Sequence, residues 1–185
     1  MPRRILLACT GSVAALKVPE LAAELYKLPE VEVRVVATEN AKHFFDTAQL
    51  SVDLYSDQDE WKWSKRGDPV LHIELGKWAD LMLIAPLDAN TLAKLANGIC
   101  DNLLTCIARA WDLTRPLIVC PAMNTRMWTH PFTARHLSVL REELGFHEVP
   151  PIFKTLVCGD SGIGAMATVN DIVRIVDSYL PAVVI

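Results

Sequence analysis

The residues best suited to chemistry come directly after a short apolar run at residues 117–120. A β-branched apolar run that stops at a proline predicts a buried strand, and Pro121 follows it at once. Asn124 then places an amide, with donor and acceptor atoms, between Met123 and Met127. In an open α/β sheet, ligands bind just beyond the carboxyl ends of the strands. The pattern favours a site for a flat, partly apolar ligand, although a helix N-cap by Asn124 explains the spacing equally well.

Two other segments, one earlier and one later in the chain, also carry residues suited to chemistry. Residues 81–84 are apolar, and after Pro86 the sequence Asp-Ala-Asn-Thr at residues 88–91 opens a predicted helix. Cys158 precedes a segment with three glycines within residues 159–164, whose backbone can move and approach a ligand closely. A reactive thiol needs such exposure, so Cys158 is the candidate reactive cysteine, although the sequence alone favours an inert thiol at this position.

The first predicted strand, residues 5–9, runs through Gly11 and Ser12 directly into a helix. Free N–H groups at the start of a helix favour an anion, and Gly11 allows close approach. The dinucleotide fingerprint with three glycines is absent, so a single phosphate is favoured over a pyrophosphate. Capping of the helix by Ser12 alone is an equally good interpretation.

Three segments in this order resemble the motifs of the flavin-containing cysteine decarboxylases, and within them of the phosphopantothenoylcysteine decarboxylases. Residues 86–91 match that family's Pro-x-Ser-Ala-Asn-Thr motif, and residues 121–128 match its Pro-x-Met-Asn-x-x-Met-Trp motif. Residues 158–166 match its cysteine-bearing, flexible clamp. The similarity covers nearly the whole chain, from about Ile5 to Val176.

The resemblance implies FMN as cofactor, with its phosphate side at the ends of the first two strands. The implied cofactor-binding residues are Gly11, Ser12, Val13, Thr38, Phe44, Ala89, Asn90, Thr91, Leu92 and Ala122. Asp88 stands where the family usually has serine. Because a carboxylate facing flavin or phosphate is unfavourable, we leave Asp88 out of the predicted site.

The implied reaction is decarboxylation of 4′-phosphopantothenoylcysteine to 4′-phosphopantetheine and CO2 in coenzyme A biosynthesis. Hydride transfer to flavin gives a thioaldehyde, CO2 leaves as from a β-keto acid, and the enethiolate is then reduced again. His72 is the implied base for the thiol proton, Asn124 binds the carboxylate and Cys158 supplies a proton. Taken alone, the sequence around His72 favours an ordinary polar residue on a half-buried helix. Ala165 replaces an arginine of many members, so clamp contacts with the substrate stay open.

Strands and helices alternate along the chain, which predicts a three-layer α/β fold, flavodoxin-like or Rossmann-like, around a central parallel sheet. We expect a single domain over residues 1–185. Strands are predicted at residues 5–9, 31–37, 81–85, 117–120 and 147–149. Helices are predicted at residues 13–28, 39–45, 72–78, 88–97, 102–111, 132–144 and 169–180. Residues 51–69 and the glycine-rich segment are predicted to be irregular.

Composition narrows the classes of function. Hydrophobic residues make up 51% of the 185 residues and charged residues 22%, as in globular proteins. The net charge of −4 gives no attraction to nucleic acid or to an anionic membrane. We expect a cytoplasmic protein, because the apolar stretch at the N-terminus is too short for a signal peptide and no run approaches the ~20 residues of a membrane helix. Cysteine and histidine spacing predicts no metal site, and the cysteines other than Cys158 lie in apolar patterns typical of packing.

The resemblance also implies a homotrimer with the flavin at subunit contacts. Two alternatives remain. One is a flavin-binding regulatory subunit, like relatives that bind phosphatases, but such proteins tend to carry long acidic or disordered extensions. The other is a flavin prenyltransferase of related fold, which needs a prenyl-phosphate site rather than the pair Asn124 and Cys158. We rank both below the decarboxylase.

Overall fold

The computed structural model describes residues 2–155 and 161–182. Its parallel strands are β1 (Arg3–Cys9), β2 (Val31–Ala37), β3 (Leu54–Tyr55), β4 (Leu81–Leu87), β5 (Leu117–Pro121) and β6 (His147–Glu148). They form one six-stranded sheet in the order β3-β2-β1-β4-β5-β6. This is a doubly wound order, whose winding reverses at β1, so ligands are expected beyond the carboxyl ends of β1 and β4. The predicted fold class is confirmed.

Helices cover both faces of the sheet. They are α1 (Val18–Tyr26), α2 (Asp57–Glu60), α3 (Leu71–Trp78), α4 (Ala89–Ala96), α5 (Leu103–Arg109), α6 (Thr125–Trp128), α7 (Pro131–Ser138) and α8 (Val169–Tyr179). Helices α1 and α8 pack together on one face, and α3, α4, α5 and α7 share the other. Short 3₁₀ turns lie at Val13–Lys17, Ala41–His43 and Thr47–Gln49, and a π-helical turn at Val139–Glu143 extends α7.

Strands β4 and β5 are apolar along their whole length, and β1 is apolar from Ile5 onward, because both faces of the sheet are buried there. In β1, Ile5 and Leu7 point into the core beneath α1 and α8, whereas Leu6 and Ala8 point into the core beneath α3, α4 and α5. All four side chains are fully buried. Alternation of this kind fixes the register of the strands, because a shift by one residue would exchange the two faces.

Several predicted boundaries were wrong. The helix predicted at residues 13–28 is a 3₁₀ turn followed by α1, because Pro19 at the first turn starts a new helix there. Leu16 falls on the 3₁₀ turn and is 59% exposed, so it does not pack in the core as Leu21 and Leu25 of α1 do. The region predicted as irregular at residues 51–69 contains β3 and α2.

The glycine-rich segment is also more ordered than predicted. Strand β7 (Ile152–Thr155) pairs antiparallel with β8 (Ser161–Ala165) to form a hairpin. The predicted residue Cys158 falls between these strands, within residues 156–160, and lies outside the described residues.

Across residues 2–155 and 161–182, no helix has both the length and the apolar character that crossing a bilayer requires.

Candidate functional site

Thr10 joins the carboxyl ends of β1 and β4. Its buried hydroxyl donates to the carbonyl oxygen of Pro86 at 2.8 Å and accepts from the backbone N–H of Asp88 at 2.8 Å. The peptide bond between Ala85 and Pro86 is cis. The two hydrogen bonds of Thr10 hold the turn after β1 beside the start of α4. Sequence reasoning missed Thr10, whose short polar side chain after a buried strand was the available signal.

The larger cleft at this edge of the sheet has a volume of about 630 Å³, a usual size for a small-molecule site. Among the predicted site residues, Ser12, Val13, Ala122 and Asn124 line it. Its walls are the turn after β1, the segment after β5, the hairpin, and the start of α8. The lining is mainly apolar, with a few hydroxyl and amide groups, two lysines and the carboxylate of Glu20, which suits a flat ring with polar edges.

A smaller pocket of about 210 Å³ is lined by the other predicted polar residues, Thr38, Asn90 and Thr91. Gly11 lies at its border, because a Cβ added there would come within 2.7 Å of the Cβ of Asn40. Asp88, which was left out of the predicted site, also lines this pocket. Hydroxyl and amide groups here suit a sugar-alcohol chain.

Four carboxylates line the smaller pocket and each has a partner, Glu39 pairing with Lys42 at 2.8 Å. Asp88 caps α4 by accepting from the N–H of Thr91 at 2.7 Å. Asp57 accepts from the N–H of Leu103 at the start of α5, at 2.8 Å. Both oxygens of Asp101 accept from Lys94, at 2.8 and 2.9 Å. Asp88 and Asp57 therefore occupy the helix starts that could attract an anion from solution, and Asp101 neutralises Lys94.

Asn124 fits both sequence interpretations. Its Oδ1 accepts from the backbone N–H of Arg126 at 2.8 Å, so the predicted N-cap is confirmed for α6. The same side chain is half-buried and lines the larger cleft. Because Oδ1 is held by the cap, the side chain has a fixed orientation at the cleft before any ligand arrives.

The hairpin is seated directly on the segment that carries Asn124. The N–H of Met123 donates to the carbonyl oxygen of Gly164 at 2.9 Å. Gly164 has a φ of 149°, and a Cβ there would collide with the carbonyl oxygen of Met123. A Cβ on Gly162 would come within 2.6 Å of the side chain of Thr125. These two glycines are thus required for close contact, as the sequence suggested, although within strand β8.

The remaining predicted residues lie outside the two cavities. Leu92 is 1% exposed in the core beneath α4, so only its backbone could reach a cofactor. Ala89 packs partly against the same core, and Phe44 packs against the opposite one. His72 lines neither cavity. Its Nδ1 is 2.6 Å from Oε1 of Glu60.

The cysteines in the described part of the chain differ in environment. Cys9 and Cys120 are fully buried, and burial raises the pKa of each thiol far above its usual value, so both stay protonated packing groups. Partial burial, together with the neighbouring Cys100 and Glu60, raises the pKa of Cys106. The prediction that Cys100 packs in an apolar pattern was wrong, because its side chain is exposed.

Comparison with known proteins assigns the family. A family model described as Flavoprotein matches residues 1–180. A phosphopantothenoylcysteine decarboxylase of Mus musculus is 59% identical over 178 residues, which span 96% of this chain and 87% of the mouse protein. One from Arabidopsis thaliana is 59% identical over 167 residues, covering 89% of this chain and 78% of the plant protein. The chain belongs to the phosphopantothenoylcysteine decarboxylases of the flavoprotein family.

Solved structures of this family match the fold closely. A PPC decarboxylase mutant complexed with pantothenoylaminoethenethiol has a TM-score of 0.93 and 54% identity, over 97% of this chain and 98% of that chain. The FMN-binding protein AtHal3 has a TM-score of 0.89 and 55% identity, over 97% of each chain. The predicted family and its flavin cofactor are confirmed.

Replacing Gly164 with alanine tests the seating of the hairpin. We expect Gly164→Ala to destabilise the protein by about 1 kcal/mol or more, because the new methyl group meets backbone in a conformation unfavourable for L-residues. Amide hydrogen exchange should show lost protection at Met123, whose N–H donates to Gly164.

Gly76→Ala is the matched control. Gly76 lies inside α3 with no atom within 4 Å of the added Cβ. The free energy of unfolding of this variant, measured in urea, should therefore rise by roughly 0.5–1 kcal/mol. Unchanged exchange at Met123 in Gly164→Ala would contradict the seated hairpin.

Proposed function

We propose that this protein catalyses the FMN-dependent decarboxylation of 4′-phosphopantothenoylcysteine to 4′-phosphopantetheine and CO2. The observation that carries the proposal is the larger cleft. The turn containing Ser12 and Val13, the segment from Ala122 to Asn124, and the hairpin enclose it together at the carboxyl edge of the sheet. The chain around this cleft is 59% identical to a mouse phosphopantothenoylcysteine decarboxylase.

The residues present fit FMN. The apolar walls of the larger cleft suit the ring, and we assign Ser12, Val13 and Ala122 to it. Gly11, Thr38, Asn90 and Thr91 border the smaller, polar pocket, whose hydroxyl and amide groups suit the ribityl chain. Phe44 and the backbone of Ala89 and Leu92 support these walls from the two cores. When bound, FMN would supply a reversible two-electron acceptor, and oxidation of the substrate's thiol-bearing carbon would give the electron pair left by CO2 somewhere to go.

The protein itself orients the substrate and excludes water. Asn124 is assigned to the substrate carboxylate, because its amide nitrogen is a neutral donor that can bind the carboxylate and then let uncharged CO2 depart. The hairpin covers Asn124 through the bond from Met123 to Gly164 and keeps water away from a reactive product. Cys158, carried by the segment between the two hairpin strands, is assigned as the acid that returns a proton.

The base requires a second copy of the chain. His72 does not line the chain's own larger cleft, so we propose that it faces the cleft of a neighbouring subunit in a homotrimer. Trp61 and Trp63, close to His72's partner Glu60 in sequence, are 82% and 50% exposed. Large exposed apolar side chains of this kind are typical of a subunit contact. Neutral imidazole can accept the thiol proton near neutral pH.

We further propose that residues 1–185 form one domain and that the enzyme works in the cytoplasm. A phosphorylated substrate does not cross a bilayer unaided, since burying its charge in hydrocarbon is too unfavourable. The reaction must therefore take place in the compartment where the substrate is made.

Anaerobic absorbance spectroscopy with CO2 detection tests the activity. We expect purified protein to be yellow, and its flavin absorbance to fall and then recover as substrate turns over. In Cys158→Ser, CO2 should be released once per site while the flavin stays bleached, because the final proton donor is missing.

Cys100→Ser, at an exposed thiol outside both cavities, is the control and should behave as wild type. A colourless protein, or a yellow one that releases no CO2, would overturn the proposed activity. The yellow but inactive outcome is the one that a flavin-binding regulatory subunit predicts.

Mixed trimers test whether His72 serves a neighbouring cleft. His72→Gln and Asn124→Ala should each be inactive alone. When they are unfolded and refolded together in equal amounts, we expect activity to return to about a quarter of wild type. In a ring of three, every mixed trimer then has one contact that carries both intact side chains.

The same mixture would stay inactive if His72 acted within its own chain, because no subunit then carries both residues. Sedimentation of the refolded mixture, compared with wild type, confirms that the subunits have reassembled.

A further inference from the structure

Helix α2 is only four residues long, yet its carboxylates connect three parts of the structure. Asp59 closes a capping box, accepting from the N–H of Ser56 at 2.8 Å and from its hydroxyl at 3.1 Å. Asp57 accepts from the N–H of Leu103 at 2.8 Å and ties α2 to the start of α5. An isolated helix this short is unstable in water, so these bonds hold it in place. They also fix the position of the third carboxylate, Glu60.

Glu60 binds His72 at two points. Its Oε2 accepts from the backbone N–H of His72 at 3.1 Å, and its Oε1 is 2.6 Å from Nδ1 of the ring. The side chains of Glu60 and His72 are only 15% and 25% exposed, so water competes weakly for these bonds. An ionised carboxylate has no hydrogen to donate, so Nδ1 must carry the proton in this pair.

We propose that Glu60 is a positioning residue that holds His72 in the tautomer protonated at Nδ1 and so presents Nε2 as the base. This inference rests on the proposed function, because it needs His72 to accept the substrate's thiol proton. Nε2 has no hydrogen-bond partner within the described residues. A carboxylate that fixes the tautomer and orientation of a basic histidine is a recurrent arrangement in catalysis.

The geometry predicts an unusual order among variants of Glu60. Glutamine has one acceptor oxygen and one NH2 group, whereas Glu60 fills two acceptor positions. The backbone N–H of His72 can only donate, so it takes the glutamine oxygen and leaves the NH2 group facing Nδ1. That NH2 group donates to Nδ1 and moves the ring proton to Nε2. Glu60→Gln therefore removes the base although it preserves the shape of the side chain.

Steady-state CO2 release from the FMN-loaded enzyme tests the positioning role. We expect kcat of Glu60→Gln to fall at least about 100-fold, as for other carboxylate-to-amide changes that impose the wrong histidine tautomer. Glu60→Ala should be less impaired, because water can accept from Nδ1 in the space that remains. KM and FMN content should stay near wild type in both variants, since Glu60 lines neither cavity.

Glu74→Gln is the matched control, because Glu74 lies two residues after His72 on the same helix and points to Lys77 at 3.9 Å. It should keep wild-type kcat. A Glu60→Gln enzyme with wild-type kcat, or one clearly faster than Glu60→Ala, would overturn the proposal, since a purely structural role predicts that order.

Nitrogen NMR of protein labelled with ¹⁵N-histidine separates this inference from the proposed function. The His72 signals are assigned by their absence in His72→Gln. In the wild type, neutral His72 should carry its proton on Nδ1, and in Glu60→Gln on Nε2. A wild-type proton on Nε2 would overturn the inference whether or not the enzyme is active. If the wild type releases no CO2, the proposed function fails, and the tautomer alone then decides whether Glu60 sets the state of His72.

Discussion

The architecture of the site depends on the hydroxyl of Thr10, which spans the crevice where the winding of the sheet reverses. It links the carbonyl oxygen of Pro86 to the N–H of Asp88, so the turn after β1 and the turn after β4 lie side by side. The hydrogen bond from Thr10 to Pro86 is buried, so leaving either partner unpaired would cost about 1–3 kcal/mol. Both cavities open next to this link. One lies beside the turn after β1, and the other between Thr38 and the start of α4.

The two cavities differ in chemistry. The larger cleft has mainly apolar walls with hydroxyl and amide groups and the charged side chains of Lys17, Glu20 and Lys154, whereas the smaller pocket is lined by polar and acidic side chains. A cofactor with a flat ring and a hydroxylated chain matches this division. The carboxylates near the smaller pocket are partly neutralised, because Asp57 and Asp88 accept from N–H groups at helix starts and Asp101 pairs with Lys94.

Sequence reasoning predicted strands β1, β4 and β5 well because each of them contains a continuous apolar run. In a sheet covered on both faces, such runs have no other place in the fold. It also predicted that Asn124 and the turn at Ser12 would meet at one edge, since parallel strands end together there. The family motifs supplied the ligand and the roles of His72 and Cys158, which composition and spacing alone left open.

The missed features are those that depend on long-range contacts. Strand β3 and helix α2 are too short to show a period, and α2 is held by bonds to Ser56, Leu103 and His72. The glycines of the hairpin indicated a mobile loop, but Gly162 and Gly164 allow strand β8 to lie against Thr125 and Met123. Glycine permits both a loop and close packing, and only the partner surface decides between them.

A crystal structure of the protein bound to FMN tests the central claim, that a flavin ring lies at the carboxyl edge of β1, β4 and β5. We expect electron density for the ring in the larger cleft, in contact with Ser12, Val13 and Ala122. His72 of a neighbouring subunit should face the same ring. Density for FMN elsewhere on the molecule, with the larger cleft filled by the protein's own side chains, would contradict it.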